Sequence, residues 1–122
     1  MNDDDLLTFR KAVIVWGRPA QLGMVVEECA ELISDINRYG RGRITDDKLM
    51  EEVVDVQIMI EQMRIIMDDQ SKWERMWSHK IGRLKGKVLE SINKRRKFKT
   101  LTEKQERELN EIEIIEKNIK SE

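Results

Sequence analysis

Residues Glu27-Glu28-Cys29-Ala30-Glu31 and, about twenty positions on, Glu52-Val53-Val54-Asp55 place acidic clusters inside two stretches of otherwise apolar helical periodicity. Carboxylates three residues apart stand on one helix face. Two such faces meeting across a hairpin make a cage of oxygen donors suited to a hard divalent cation. Around the second cluster, Leu49, Met50, Val53, Val54, Val56, Ile58, Met59, Ile60, Met63, Ile65, Ile66 and Met67 occupy every side of the helix. A helix apolar all round is expected to be buried all round. At roughly 100° per residue, Glu52 and Asp55 share a strip with Met59 and Ile66, so both carboxylates are expected in packed surroundings. A charge there has to be paired, metal-bound or neutralised.

The first cluster has a different setting. Leu22, Val25, Val26, Cys29, Leu32, Ile33 and Ile36 form an amphipathic stripe, and Glu27, Glu28, Glu31 and Asp35 are spread over the rest of the helix. Glu28 and Glu31 lie to one side, where a neighbouring helix could meet them; a solvated acidic face is the alternative for this cluster alone.

Punctuation divides the rest of the chain. Asn2 to Asp5 can cap a first helix that stops near Gly17, and Pro19 suits the first turn of a second. That helix runs to about Tyr39, where Gly40-Arg41-Gly42-Arg43 breaks it, with Thr45 or Asp46 capping a third. The two long helices therefore form an antiparallel hairpin that returns the acidic clusters to a similar height. Helix three is expected to end at Asp68-Asp69-Gln70, and Ser71-Lys72-Trp73-Glu74 has the spacing of a capping box for helix four. Trp73, Trp77, Ile81, Leu84, Val88 and Ile92 then repeat at steps of three and four, a core stripe rather than a stacking platform. Thr100 or Thr102 can cap a last helix with Leu109, Ile112, Ile115 and Ile119 on one side, a narrow stripe suited to docking.

With EExxE, a spacer of about twenty residues and ExxD all filled, the chain resembles the all-α nucleoside triphosphate pyrophosphohydrolases of the MazG type. Trp16-Gly17, Ala20-Gln21-Leu22 and the run Asp55 to Gln62 are similar to the small single-domain members, and the resemblance covers roughly residues 10 to 90. It implies an all-α fold, an antiparallel four-helix bundle, with the helical domain expected over 1–98; the extra C-terminal helix, a charged extension over 99–122, lies outside the resemblance. It also implies Mg²⁺, with Mn²⁺ able to substitute, held by Glu28, Glu31, Glu52 and Asp55. Glu27 would hold a second ion or act as the base. Trp16 and Gln21 are the implied contributors to base recognition, and Lys80 and Arg83 on helix four the implied cations for phosphate. The implied reaction cleaves the α–β phosphate bond of a ribo- or deoxyribonucleoside triphosphate, giving a monophosphate and pyrophosphate.

Composition bounds the alternatives. The 122 residues suit one domain, and a net charge of -1 with 39% charged residues gives no overall bias toward nucleic acid or membranes. The basic run Asn93 to Lys99 is the one patch where nucleic acid could bind, but cations in a last turn also complement the helix dipole. Cys29 alone makes neither an intrachain disulfide nor a thiolate metal site and reads as packing in a reducing compartment. An acidic amino terminus and the lack of a long apolar run point to a cytoplasmic protein without a membrane span. His79 stands in no Glu-x-x-His arrangement, which weakens di-iron and zinc-protease readings, and no Walker loop is present. All-round apolarity of helix three favours a homodimer or homotetramer. Two other readings remain: a non-catalytic helical oligomer or adaptor whose carboxylates pair with Lys and Arg, and a nucleotide-binding sensor without turnover.

Overall fold

Asn2 starts the first helix: its side chain accepts from the Asp5 amide while the Asp5 carboxylate accepts from the Asn2 amide, a reciprocal cap. In the computed structural model, which describes residues 1–121, five helices follow in order. They are α1 (Asp3–Trp16), α2 (Arg18–Gly40), α3 (Asp46–Met67), α4 (Gln70–Lys97) and α5 (Glu103–Lys120). Among the described residues there is no strand, and no helix is long and apolar enough to cross a membrane.

The chain divides into two compact units, Met1–Glu74 and Arg75–Glu122, with the boundary inside α4 rather than after it. In the first unit α2 and α3 make the main contact, and α1 lies against both. Gly17 joins α1 to α2 at φ 85°, ψ 157°, a conformation open essentially to glycine alone. Its amide donates to the Val13 carbonyl and its own carbonyl accepts from the Gln21 amide, so a single residue ends one helix and begins the next. Pro19 sits in the first turn of α2, where its missing N–H leaves nothing unpaired. After α2, the amides of Gly42 and Arg43 turn back onto the carbonyls of Tyr39 and Arg38. Thr45 then caps α3 by accepting from the Lys48 amide.

The start of α4 differs from the expected cap. Asp69, not Ser71, accepts the Lys72 amide at 3.0 Å, because Asp68 ends α3 in the left-handed conformation at φ 41° and brings the next carboxylate directly over the new first turn. Arg64 spans this corner, pairing with Glu61 at 3.3 Å, bonding Gln70 and lying 5.0 Å from the centre of the Trp73 ring.

The expectation that α3 is buried all round is not met. Met59 is its one buried apolar residue, while Met50, Val53, Val54 and Met67 are exposed. Within the first unit α3 packs chiefly against α2 and α1, and two main neighbours do not surround a helix. The stripe on α4 is likewise less covered than a core stripe: in the second unit Ile81 and Ile92 are half-buried, but Trp77, Leu84 and Val88 are exposed.

That second unit is a helical hairpin. Thr102 caps α5 reciprocally with Gln105, and Arg96 reaches across to Glu113 at 2.9 Å and Glu106 at 3.3 Å. Arg95 donates to Thr100 in the turn. Part of the basic run is thereby used to hold α5. A groove of about 420 Å³ between the helices is lined by Val88, Ile92, Leu101, Leu109 and Ile112 together with polar side chains.

Candidate metal centre

Where α2 and α3 meet, a run of polar residues lies along the seam. Positions 21, 28, 31 and 35 of α2 are separated by seven, three and four; positions 48, 52, 55 and 62 of α3 are separated by four, three and seven. Those steps keep each set on one helix face, and because the helices run in opposite directions the mirrored spacings align. Gln21 donates to Gln62. Asp55 is the charge that most perturbs Glu28, and Glu31 lies within hydrogen-bonding reach of Glu52. Asp35 and Lys48 line the same cleft.

Glu28, Glu31 and Glu52 are brought together so that one carboxylate oxygen from each lies within 4.8 Å of the others. They differ in exposure: Glu31 is open to solvent, Glu28 is half-buried, and Glu52 is only 3% exposed. Glu52 has a marginal ion pair with Lys48, Nζ to Oε2 at 3.8 Å. Its other oxygen, and Oε2 of Glu28, are buried without any hydrogen-bond partner. An unpaired buried acceptor of this kind costs on the order of 1–3 kcal/mol, so the cluster is incomplete as a purely structural feature.

Electrostatics point the same way. The Glu28 carboxyl is pushed above the ordinary glutamate range by burial first and then by Asp55, Glu52 and Glu27, with Lys48 opposing. The Glu52 carboxyl is also raised, chiefly by its contact with Glu31 and then by burial. Carboxylates forced together in this way relax by binding a proton or by binding a cation. The donor set is all oxygen, which suits Mg²⁺ or Mn²⁺ and not a soft metal.

The other expected residues fall as follows. Asp55 is exposed, not packed as its strip suggested. It lies outside the close triad and lines a shallow cleft with Asp47, Glu51, Met50 and Val54, yet its charge reaches Glu28. A step of three residues turns about 60° short of a full circle, enough to carry Asp55 from the buried seam to its edge. Glu27 is exposed beside Glu28. Trp16 is 65% exposed at the end of α1. Gln21 is buried, its amide committed to Gln62, which in turn donates to the Met59 sulfur at 3.7 Å. Lys80 and Arg83 are exposed on α4 in the second unit.

Three residues not singled out from the sequence belong to this seam. Asp35 is buried and held by Arg38, Nη1 to Oδ1 at 2.9 Å; Lys48 faces Glu52; Gln62 closes the far end. The mirrored spacing along the two helices is the signal that finds them. No family model, curated protein or solved structure matches the chain.

Proposed function

We propose that the chain is a Mg²⁺-dependent nucleoside triphosphate pyrophosphohydrolase of the all-α type, cleaving the α–β phosphate bond to release a monophosphate and pyrophosphate. The observation that carries this reading is Glu52: a carboxylate almost wholly buried, inside a triad of glutamates, with one oxygen left without a partner. A divalent cation is the ligand that satisfies such an oxygen and relieves the repulsion around it.

Glu28, Glu31 and Glu52 would hold the ion, with Asp55 at the edge of the set completing the ExxD half of the resemblance. Bound there, Mg²⁺ supplies charge neutralisation for the triphosphate and orients it for in-line displacement. Water attacks the α phosphorus, the bond to the bridging oxygen breaks, and pyrophosphate leaves with that oxygen. Glu27, exposed next to Glu28, would accept the proton that the water loses, or hold a second ion. Trp16 remains the aromatic candidate for the base, and Lys80 and Arg83 the α4 candidates for phosphate.

The finer fold belongs to the same proposal: α1 to α4 as an antiparallel four-helix bundle, with α5 added to it. So does assembly as a homodimer or homotetramer, which the exposed Met50, Val53 and Val54 of α3 support.

Pyrophosphate release from a panel of canonical and modified triphosphates, with and without Mg²⁺, tests the activity. Metal-dependent release, lost in Glu28→Gln and Asp55→Asn variants, is the expected result. A second reading, a non-catalytic helical oligomer, is favoured by the Lys48–Glu52 and Arg38–Asp35 pairs. It requires that no triphosphate be hydrolysed and that Mg²⁺ leave thermal stability unchanged.

A further inference from the structure

Two members of the acidic triad, Glu31 and Glu52, line a cleft of about 500 Å³ that also carries two cations. Glu31 and Glu52 line it together with Asp35, Arg38 and Lys48. Along α2, Arg38 lies two turns beyond Glu31, about 10 Å at 1.5 Å per residue. Along α3, Lys48 lies one turn before Glu52. Because the helices are antiparallel, both cations stand at the same end, next to the loop that carries Arg41 and Arg43. Those two arginines are exposed and make no side-chain hydrogen bond or ion pair among the described residues.

Arg38 is not an ordinary surface arginine. Its partner Asp35 is 4% exposed and has no other hydrogen bond or ion pair among the described residues. A buried carboxylate needs its counter-charge, so Asp35 fixes one guanidinium nitrogen while the side chain as a whole stays more than half exposed over the cleft. The remaining donors of a planar guanidinium suit phosphate oxygens. Lys48 is held only loosely by Glu52, at 3.8 Å. The unpartnered oxygen of the almost fully buried Glu52 belongs to a residue lining the same cleft.

Resting on the pyrophosphohydrolase reading, we propose that Arg38 and Lys48, backed by Arg41 and Arg43 of the loop, seat the β- and γ-phosphates of the substrate at the loop end of the α2–α3 hairpin. Asp35 acts as a positioning residue for Arg38. The nucleoside then points away from the loop, and recognition depends on the length of the phosphate chain. A triphosphate reaches both the acidic triad and the cations; a monophosphate reaches only one of them. Free pyrophosphate occupies the cationic end by itself and is a product inhibitor.

The test is calorimetric binding of inorganic pyrophosphate to the full chain in the presence of Mg²⁺, beside steady-state hydrolysis of a triphosphate. Lys48→Gln and the double variant Arg41→Gln/Arg43→Gln are compared with wild type. Since removing Arg38 alone strands a buried carboxylate, Arg38 is tested as Asp35→Asn/Arg38→Gln, which removes charge and counter-charge together. Expected is pyrophosphate affinity about tenfold weaker in Lys48→Gln and in the Asp35/Arg38 variant, the scale of one lost charge-assisted contact. KM should rise in parallel, while Mg²⁺ affinity stays close to wild type in Arg41→Gln/Arg43→Gln, whose side chains touch no carboxylate of the triad. Unchanged pyrophosphate affinity in these variants, in a wild type that does hydrolyse triphosphate, overturns this seating and leaves the enzyme reading intact. A wild type that neither binds Mg²⁺ nor hydrolyses any triphosphate overturns both.

Discussion

Two polar clusters lie on the same seam between α2 and α3, and they are finished differently. At one end Gln21 and Gln62, both buried, satisfy one another, and Gln62 also reaches the Met59 sulfur. Two turns away, Glu28, Glu31 and Glu52 crowd together with two buried oxygens unpaired. The amide pair is neutral and self-sufficient. It fixes the register of the hairpin much as a single polar pair does in a coiled coil. The carboxylate cluster opposes the same packing, since every neighbour except Lys48 raises the cost of its charge. Burial of polar groups is common to both; only the second leaves a demand that the chain itself does not meet.

The comparison breaks most sharply at Glu52. Replacing it by Gln should lower metal-dependent pyrophosphate release by about two orders of magnitude or more, since each 1.36 kcal/mol of barrier is tenfold in rate. The same variant should be no less stable than wild type in the absence of metal, because a neutral amide removes repulsion; thermal melts in chelator check this. At the other end, Gln21→Leu should cost roughly 1–3 kcal/mol, the penalty of leaving Gln62 unpaired in the interior. Gln21→Leu/Gln62→Leu should recover much of it, and neither variant should change Mg²⁺ affinity; urea denaturation and metal titration separate the two effects.

Magnesium itself should act on one cluster only. At about a hundred times its dissociation constant it should stabilise the wild type by ~2.7 kcal/mol, and the gain should vanish in Glu52→Gln but persist in Gln21→Leu. The smallest effect concerns pH. Both Glu28 and Glu52 bind their protons more tightly in the folded chain than at the ordinary value of 4.5. Their contribution to stability is therefore fully present below that value and is lost as pH rises through the raised folded values. Metal-free melting temperatures should show a downward component over that interval that is weaker in Glu52→Gln, and Mg²⁺ should suppress it.

Much of this was readable from residue types and spacing. Asn2, Pro19, Thr45 and Thr102 mark helix starts through local hydrogen bonding or a fixed φ, which needs no tertiary context, and each stands where expected. Glu28, Glu31 and Glu52 converge as their spacing suggested. Asp55 lies exposed outside the close triad, because a strip drawn at helical periodicity says which side a residue faces but not how far round that side the neighbouring helix reaches. Ser71 looked like a cap on motif alone, and the left-handed turn at Asp68 gave that role to Asp69. The burial of α3 was overestimated for a related reason: apolarity records what a surface is suited to meet, while the number of neighbours decides what it does meet. Asp35 and Lys48 were legible only once the two helices were read against each other.

Gly17 has a consequence for how freely this sequence can vary. The connection between α1 and α2 is one residue long, and added side-chain bulk there would meet only ordinary contact with Pro19. Space does not restrict the position; its backbone angle does. A library of substitutions should thus find Gly17 intolerant even of alanine, and find insertions harmful there, while Gly23, on an exposed stretch of α2 with open space around it, accepts alanine with a gain in helix propensity. Two glycines six positions apart would then differ sharply in what they tolerate, one for its backbone angle and the other free of any such demand.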